Sequence, residues 1–489
     1  MPQTIRPMAW VTLFHAEPGA PRSLRERICG TVRTAIRRGL VRNGERLPAT
    51  RTLATDLRVS RITAEAAYHQ LEAEGYVRRR IGDGTYVEIA ITGTTSRASR
   101  DGGPSGPAGW SRRGSRIVRS GGHEDPHTPV AFSAGFPDLD AFPVDIWKRL
   151  TARRIRRDGA SAMGYGDPAG EPELREAIAR YLGQSRGVQC DADHIIVLTS
   201  SQQALHLAVM LLTDPGDAVW MEDPGYRGAR TVATALGVDP RPLPVDGEGL
   251  VLPRERGPSP RLIYTTPSHQ YPTGVTLSLK RRLALIDVAR RCDAYVIEDD
   301  YDSEFQYDAR PTPAVQGLDP HGRVLYVGTF SKVLFPSIRL AYLVVPPPLA
   351  KGFAVARTIL DGHTARLTQL VTADFLEEGH FATHVRRMRR LYHHRRDVLL
   401  TELARRAPWC RPYGTAAGLQ LTVTLPRRRE AALTDAAARA GVVTPRVAAL
   451  CLSRPRFDGW VLGFAALDDA RIIDAVRRLG GLWGRTRVV

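Results

Sequence analysis

Two short apolar runs in the middle of the chain each end on a polar cluster. Ala294-Tyr295-Val296-Ile297 leads into Glu298-Asp299-Asp300-Tyr301-Asp302-Ser303-Glu304-Phe305, and Val324-Leu325-Tyr326-Val327 leads into Gly328-Thr329-Phe330-Ser331-Lys332, with Arg339 following. Runs of this length and composition read as buried strands. Two strands that deliver polar side chains at one sheet edge build the crevice in which α/β proteins hold ligands. A lysine, an acid and a tyrosine then meet there. The trio suits pyridoxal phosphate: the Lys332 amine forms the Schiff base, Asp299 keeps the pyridine nitrogen protonated and Tyr301 bonds the ring hydroxyl.

A third segment, Thr266-Pro267-Ser268-His269-Gln270-Tyr271-Pro272-Thr273-Gly274, joins these two. Together they resemble the aminotransferase-like half of the MocR/GabR (PdxR-like) regulators. These are a branch of the GntR transcription factors whose effector domain is similar to fold-type I aminotransferases. The resemblance implies an α/β fold with an N-terminal winged helix-turn-helix, a large sheet domain and a smaller C-terminal α+β domain. The expected boundaries are 1–90 for the DNA-binding domain, 91–129 for a flexible linker and 130–489 for the effector domain, of which 376–489 is the small subdomain.

Length and composition permit this. A chain of 489 residues, 43% hydrophobic and 25% charged, exceeds one core. No apolar run reaches the roughly 18 residues that span a bilayer, and Met1 to Phe14 lacks the pattern of a signal peptide, so a cytoplasmic protein is expected. Five scattered cysteines, at 29, 190, 292, 410 and 451, predict reduced thiols, with neither a disulfide framework nor a metal site. Half of the formal charge of +18 lies in residues 1–129, which supports double-stranded DNA as a partner.

In the N-terminal part, Leu24, Ile28, Val32 and Ile36 recur every fourth residue, with Ala35 and Leu40 beside them, and mark a first helix. A short helix over about 50–58 places Leu53, Ala54 and Leu57 inward. Val59-Ser60 turns into another over about 61–74, with Ile62, Ala66 and Leu71 on its buried side. Residues 75–87 alternate around Gly82-Asp83-Gly84 as a two-stranded wing. The stretch Leu47 to Val87 resembles the GntR winged helix, which implies DNA contacts from Arg51, Arg61 and Thr63 and a wing-tip glycine at Gly84. Glu65 stands where several such proteins carry arginine, so base preference should differ there. Arg78-Arg79-Arg80 is expected to touch phosphates. Residues 91–129, rich in Gly, Ser, Thr and Arg, read as linker. The charged stretch Arg386 to Arg396 reads as a helix covering the large domain.

In the remainder, strands at 195–198 and 218–222 alternate with helical stretches. The resemblance makes Ser200, Ser201, Thr329 and Arg339 the phosphate group, Tyr226 the ring-stacking aromatic, and Tyr271 the replacement for the asparagine of many aminotransferases. Ser200 stands where those enzymes usually have glycine. Gly164-Tyr165-Gly166-Asp167-Pro168-Ala169-Gly170 lacks dinucleotide-loop spacing; it resembles the segment lent to a neighbouring subunit, which implies a homodimer with Tyr165 reaching the partner's phosphate. No arginine adjoins Leu462-Gly463-Phe464, which leaves two alternatives: Arg446, Arg454 or Arg456 takes an effector carboxylate, or the ligand is not an α-amino acid. The leading expectation is a regulator sensing an amino compound, or pyridoxal phosphate itself, through the lysine aldimine. The competing one is an aminotransferase with an attached DNA-binding domain.

Overall fold

The computed structural model describes residues 23–37, 39–80, 82–88, 109–122, 130–253, 259–307, 312–414 and 417–483, with Val11 and Phe14. The chain divides into two compact units, Met1–Ala108 and Gly109–Val489.

The first unit holds α1 (Leu24–Arg37), α2 (Thr50–Leu57), α3 (Arg61–Ala73) and the strands β1 (Val77–Arg80) and β2 (Gly84–Val87). One core takes Ile28, Val32 and Ala35 from α1, Leu53 and Leu57 from α2, Ala64, Tyr68 and Leu71 from α3, and Val77 and Val87 from the wing. The α2–α3 turn is tight because Arg58 takes a left-handed conformation (φ 53°), and the Ser60 side chain then accepts the Thr63 N–H to cap α3. The wing pairs Val77 with Val87 and Arg80 with Gly84.

Four apolar positions differ from expectation. Leu24, at the start of α1, and Leu40, past its end at Arg37, are about half exposed, and Ile62 is 78% exposed. The inward phase of α3 runs Ala64, Ala67, Tyr68, Leu71, and Ile62 lies two residues from Ala64, about 200° around the helix. Ala66 is likewise off that stripe and only half-buried.

The second unit is built on an eight-stranded sheet in the order β3-β10-β9-β8-β7-β4-β5-β6. In sequence these are β3 (Ile195–Leu198), β4 (Ala218–Asp223), β5 (Asp239–Asp246), β6 (Gly249–Leu250), β7 (Leu262–Thr265), β8 (Tyr295–Asp300), β9 (Val324–Thr329) and β10 (Ala341–Val344). β4, β5, β7, β8 and β9 run parallel, and β10 is antiparallel to both β9 and β3, so β3 points with the majority. Every residue of β3, β7 and β9 is buried, as strands covered on both faces require. A smaller antiparallel sheet joins β11 (Arg411–Tyr413), β12 (Gln420–Thr424) and β13 (Gly459–Gly463).

β8 and β9 run further than the apolar runs implied, through Asp300 and Thr329. The acids at 298–300 are therefore strand residues with fixed facing, not loop residues. Part of the stretch read as linker is also structured. Arg112–Arg119 forms α4, capped by Ser111, and belongs to the second unit. It packs along α6 (Arg227–Leu236), with the Arg116 guanidinium against Gly237 at the α6 C-terminus, where a Cβ would fall 2.9 Å from it. A cation is favoured at that end of a helix. The charged stretch 386–396 lies within one long helix, His380–Arg406, and its Arg395 is buried against Asp138 at 2.7 Å. Among the described residues, no helix is long and apolar enough to cross a membrane.

Candidate cofactor site and candidate DNA interface

β8 sorts its acids by strand alternation. Glu298 and Asp300 face one way: Glu298 accepts the Val315 and Gln316 N–H groups at 2.9 Å each, and Asp300 meets Arg186 at 2.9 Å and the Tyr326 hydroxyl at 2.7 Å. Beyond the strand, Asp302 meets His269 at 3.0 Å and Glu304 accepts from Tyr181 at 2.6 Å. Asp299 faces the other way and accepts from the Tyr264 hydroxyl at 2.7 Å. Of these five carboxylates, it is the one that lines the main cavity.

That cavity, about 420 Å³, opens at the carboxyl ends of β3, β4, β7, β8 and β9. Burial pushes the Asp299 carboxyl up to about 7; the Asp300 and Glu222 charges add to this and the Tyr264 hydrogen bond opposes it. Burial, reinforced by Asp302, also raises the Tyr301 phenol well above its ordinary value. A carboxyl in so dry a place is a ready partner for a cationic ring nitrogen, since an opposite charge restores its ionised form.

The lysine lines the same cavity. Lys332 is half-buried, and Gly135 (φ 79°) passes so close that a Cβ there would sit 3.1 Å from the Lys332 Nζ. Ser200 and Ser201 open α5 (Ser201–Leu212), presenting a helix N-terminus to the cavity beside Thr329 and Arg339. Backbone N–H groups, hydroxyls and a guanidinium on one wall suit a phosphate. Ser200 serves as the N-cap, accepting the Gln203 N–H, so the residue in the usual glycine position completes the helix end. Tyr226, Tyr271 and Tyr301 form an aromatic wall with edge-on contacts of 5.9 and 6.1 Å. Gln202 donates to the Tyr226 hydroxyl at 2.9 Å, and Gly228 leaves room for that ring, since a Cβ there would lie 2.5 Å from its Cζ. A lysine amine, a desolvated acid, a phenol and an anion-binding wall are the groups a phosphorylated aromatic aldehyde needs.

Nine of the ten residues expected for the cofactor therefore line one cavity: Lys332, Asp299, Tyr301, Tyr226, Ser200, Ser201, Thr329, Arg339 and Tyr271. Tyr165 does not; it is 95% exposed, edge-on to His363 at 5.7 Å. Arg446 is engaged by Glu430 at 2.9 Å, and none of Arg446, Arg454 and Arg456 lines the cavity. Gln420 on β12 is the small-sheet residue that does. Sequence reasoning also passed over Gly135, Gln202, Tyr264 and Thr266. Tyr264 ends an apolar run like any core tyrosine, and only its pairing with Asp299 marks it. The expected free cysteines are all unpaired thiols, and the described residues hold no cluster suited to a metal ion.

In the first unit, Arg51 and Arg61 are exposed and Thr63 is half-buried beside the α3 cap. Arg61 is held by Glu65 at 3.0 Å across one helical turn. Gly84 (φ 142°) begins β2, with the Arg46 side chain where a Cβ would stand. Arg78, Arg79 and Arg80 alternate along β1, Arg78 meeting Glu88 at 2.5 Å and Arg79 meeting His69 at 2.6 Å.

Comparison with known proteins agrees with this division. Residues 128–479 match the family model for aminotransferase class I and II, and residues 24–87 match that for bacterial regulatory proteins of the gntR family. The chain is 41% identical over 455 residues to the "Probable rhizopine catabolism regulatory protein MocR" of Rhizobium meliloti, covering 92% of this chain and 91% of the relative. It is 32% identical to the pyridoxine biosynthesis transcriptional regulator PdxR of Corynebacterium glutamicum, covering 78% and 79%. Among solved structures, the kynurenine aminotransferase of Pyrococcus horikoshii, in complex with PMP, superposes with a TM-score of 0.68 at 28% identity, covering 73% of this chain and 91% of that one.

Proposed function

This chain belongs to the MocR family of helix-turn-helix transcriptional regulators, a GntR-type DNA-binding domain joined to an aminotransferase-like domain, and from that premise we propose that it binds pyridoxal phosphate covalently at Lys332 and reports an amino compound, or the cofactor itself, to DNA. The single observation that carries this reading is the cavity that gathers Lys332, Asp299, Tyr301 and an anion-binding wall in a chain that also carries a winged helix.

When bound, pyridoxal phosphate supplies an aldehyde that an amine ligand can take over from the lysine. The residues supply the rest. Ser200, Ser201, Thr329 and Arg339 hold the phosphate, Asp299 holds the ring nitrogen's proton, Tyr226 and Tyr271 cover the ring, and Tyr301 donates to the ring oxygen. Tyr165, exposed on its own subunit, reaches the partner's phosphate in a homodimer. Arg51, Arg61, Thr63 and the Gly84 wing contact double-stranded DNA, with Ile62 exposed between two of them as an apolar surface for a thymine methyl.

Stopped-flow spectra with a panel of amines, a keto-acid product assay and a promoter-binding assay test this together. A sensor changes DNA affinity when the amine binds, with turnover far below a median enzyme rate of about 10 per second. Turnover at ordinary transaminase rates with no ligand effect on DNA binding would establish the alternative, an aminotransferase with an attached DNA-binding domain.

A further inference from the structure

His269 is a buried ring to which the site chemistry above gives no part. Its Nδ1 lies 3.0 and 3.1 Å from the two Asp302 oxygens and 3.1 Å from the Tyr301 hydroxyl. Both His269 and Asp302 are almost fully buried. The His269 Nε2 meets no hydrogen-bond partner among the described residues. A ring nitrogen facing a carboxylate carries the proton, because a lone pair there would face a second lone pair, and an Nε2 proton would be a buried donor without an acceptor. The proton therefore sits on Nδ1.

This has a consequence for Tyr301. An Nδ1 that carries its proton cannot accept one from the phenol, so the Tyr301 oxygen takes the acceptor side of that 3.1 Å contact and its own hydrogen turns elsewhere. Tyr301 lines the cavity, so elsewhere is the cavity. The pair is closed from behind by Gly418 (φ 70°), where a Cβ would lie 2.0 Å from Asp302 and 2.6 Å from the His269 ring. Gly418 is itself held: its N–H donates to the Phe305 carbonyl and its carbonyl accepts from the Tyr307 hydroxyl at 2.5 Å. The other ionisable groups around Tyr301 are Asp299, Tyr271 and Glu222, and Tyr307 faces Asp302.

We infer that His269 is a positioning residue: held by Asp302, it occupies the Tyr301 oxygen and so aims the Tyr301 hydroxyl hydrogen into the cavity, toward the ring oxygen of the bound cofactor. This rests on the cofactor reading above. Without the Nδ1–H, the Tyr301 oxygen loses the contact that fixes its hydroxyl, which is then free to turn away from the ring oxygen.

The test is a pH titration of the visible absorption of full-length protein loaded with pyridoxal phosphate. A donor to the ring oxygen favours its anionic, unprotonated Schiff-base form, so losing the donor raises the midpoint. His269→Leu should raise it by about one pH unit, a typical result of removing one such interaction, and Tyr301→Phe should do the same. His269→Asn, whose amide N–H can stand near the Nδ1 position, should restore most of the wild-type midpoint. In the Tyr301→Phe background, His269→Leu should add no further shift. A band with a wild-type midpoint in His269→Leu, or an equal added shift in the double variant, would overturn the positioning role. Failure of the wild type to acquire any visible band would instead overturn the cofactor reading. Should His269→Leu fail to fold, the His269→Asn titration and a tyrosine ultraviolet titration of unloaded protein with and without Tyr301→Phe remain decisive: a wild-type midpoint in the first and a buried, late-titrating Tyr301 in the second are expected, and an accessible Tyr301 titrating at its ordinary value overturns the inference.

Discussion

The edge of β8 and the outward face of α3 both carry acids and their partners, in opposite physical settings. On β8 and just beyond it, Glu298, Asp299, Asp300, Asp302 and Glu304 are each given a separate buried or half-buried partner, and Asp299 is left facing the cavity. On α3, Arg61 and Glu65 meet each other across one turn with side chains 65% and 37% exposed. The buried setting makes each charge expensive, so a ligand that completes it gains much and geometry decides which ligand that is. The exposed setting makes the pair cheap to break, which suits the proposed exchange of that carboxylate for DNA phosphate. On the proposed reading, one region recognises by desolvation and the other by exchange.

The largest expected effect breaks the buried side of this comparison outright. Lys332→Ala should abolish the visible band of protein incubated with pyridoxal phosphate, because the amine that links the chromophore is gone, while a promoter mobility shift of the unloaded protein stays unchanged. A retained band in a dialysed sample would show that Lys332 is not the point of attachment.

Next comes the cost of keeping Asp299 dry. In unloaded protein the folded carboxyl holds its proton to about pH 7, whereas the unfolded one releases it near 3.8. The native state thus binds more protons in that window, and this contribution to stability is lost as pH rises from about 4 to about 7. Asp299→Asn, which keeps an acceptor for Tyr264, should be more stable than the wild type by about 4 kcal/mol at a pH of about 8 and equal to it at about 4. Glu304, raised to the same range by burial, titrates in both proteins and cancels from the difference. Denaturant melts at the two pH values measure it, and a difference independent of pH would refute the desolvation account. The same variant should hold the cofactor more weakly.

Arg61→Ala probes the exchanging surface and should weaken binding to a promoter fragment by roughly 1 to 3 kcal/mol if the guanidinium contacts a base. The visible absorption should not move. An unaltered mobility shift at physiological salt would remove α3 from the interface.

The smallest effect belongs to Glu65→Ala. Loss of an exposed pair one turn apart should change stability by only about 0.5 kcal/mol, while freeing Arg61 should tighten non-specific DNA binding and steepen its salt dependence. A loss of stability several times larger would mean that α3 behaves like β8, and the contrast drawn here would fail.

Much of the architecture was legible because it rests on local patterns. Four-residue apolar runs located β3, β4, β8 and β9, and the spacing of Ile28, Val32 and Ile36 located α1. The site residues Lys332, Asp299 and Tyr301 were legible for the same reason, as they stand where those runs stop. What was missed depends on facing and on distant partners. Ile62 stands a multiple of three residues from Leu71 and so looks inward in a linear reading, whereas the buried stripe follows the phase that Leu71 shares with Ala64, Ala67 and Tyr68. Helix α4 has the composition of a linker, and its packing partner lies more than a hundred residues away in α6.

The sequence by itself determined that a parallel sheet would present a lysine, an acid and a phenol at one edge, and that a basic helix-turn-helix would precede it. Strand periodicity and turn chemistry are short-range, so they survive in a linear reading. Only the tertiary structure decided which partners take up the other four acids, that Gly135 approaches Lys332, that Tyr264 holds Asp299 and that His269 and Asp302 stand behind Tyr301. Those contacts join residues from different strands and loops. Their energy comes from burial, which exists only once the sheet, the small sheet and the helices between them have closed over the site.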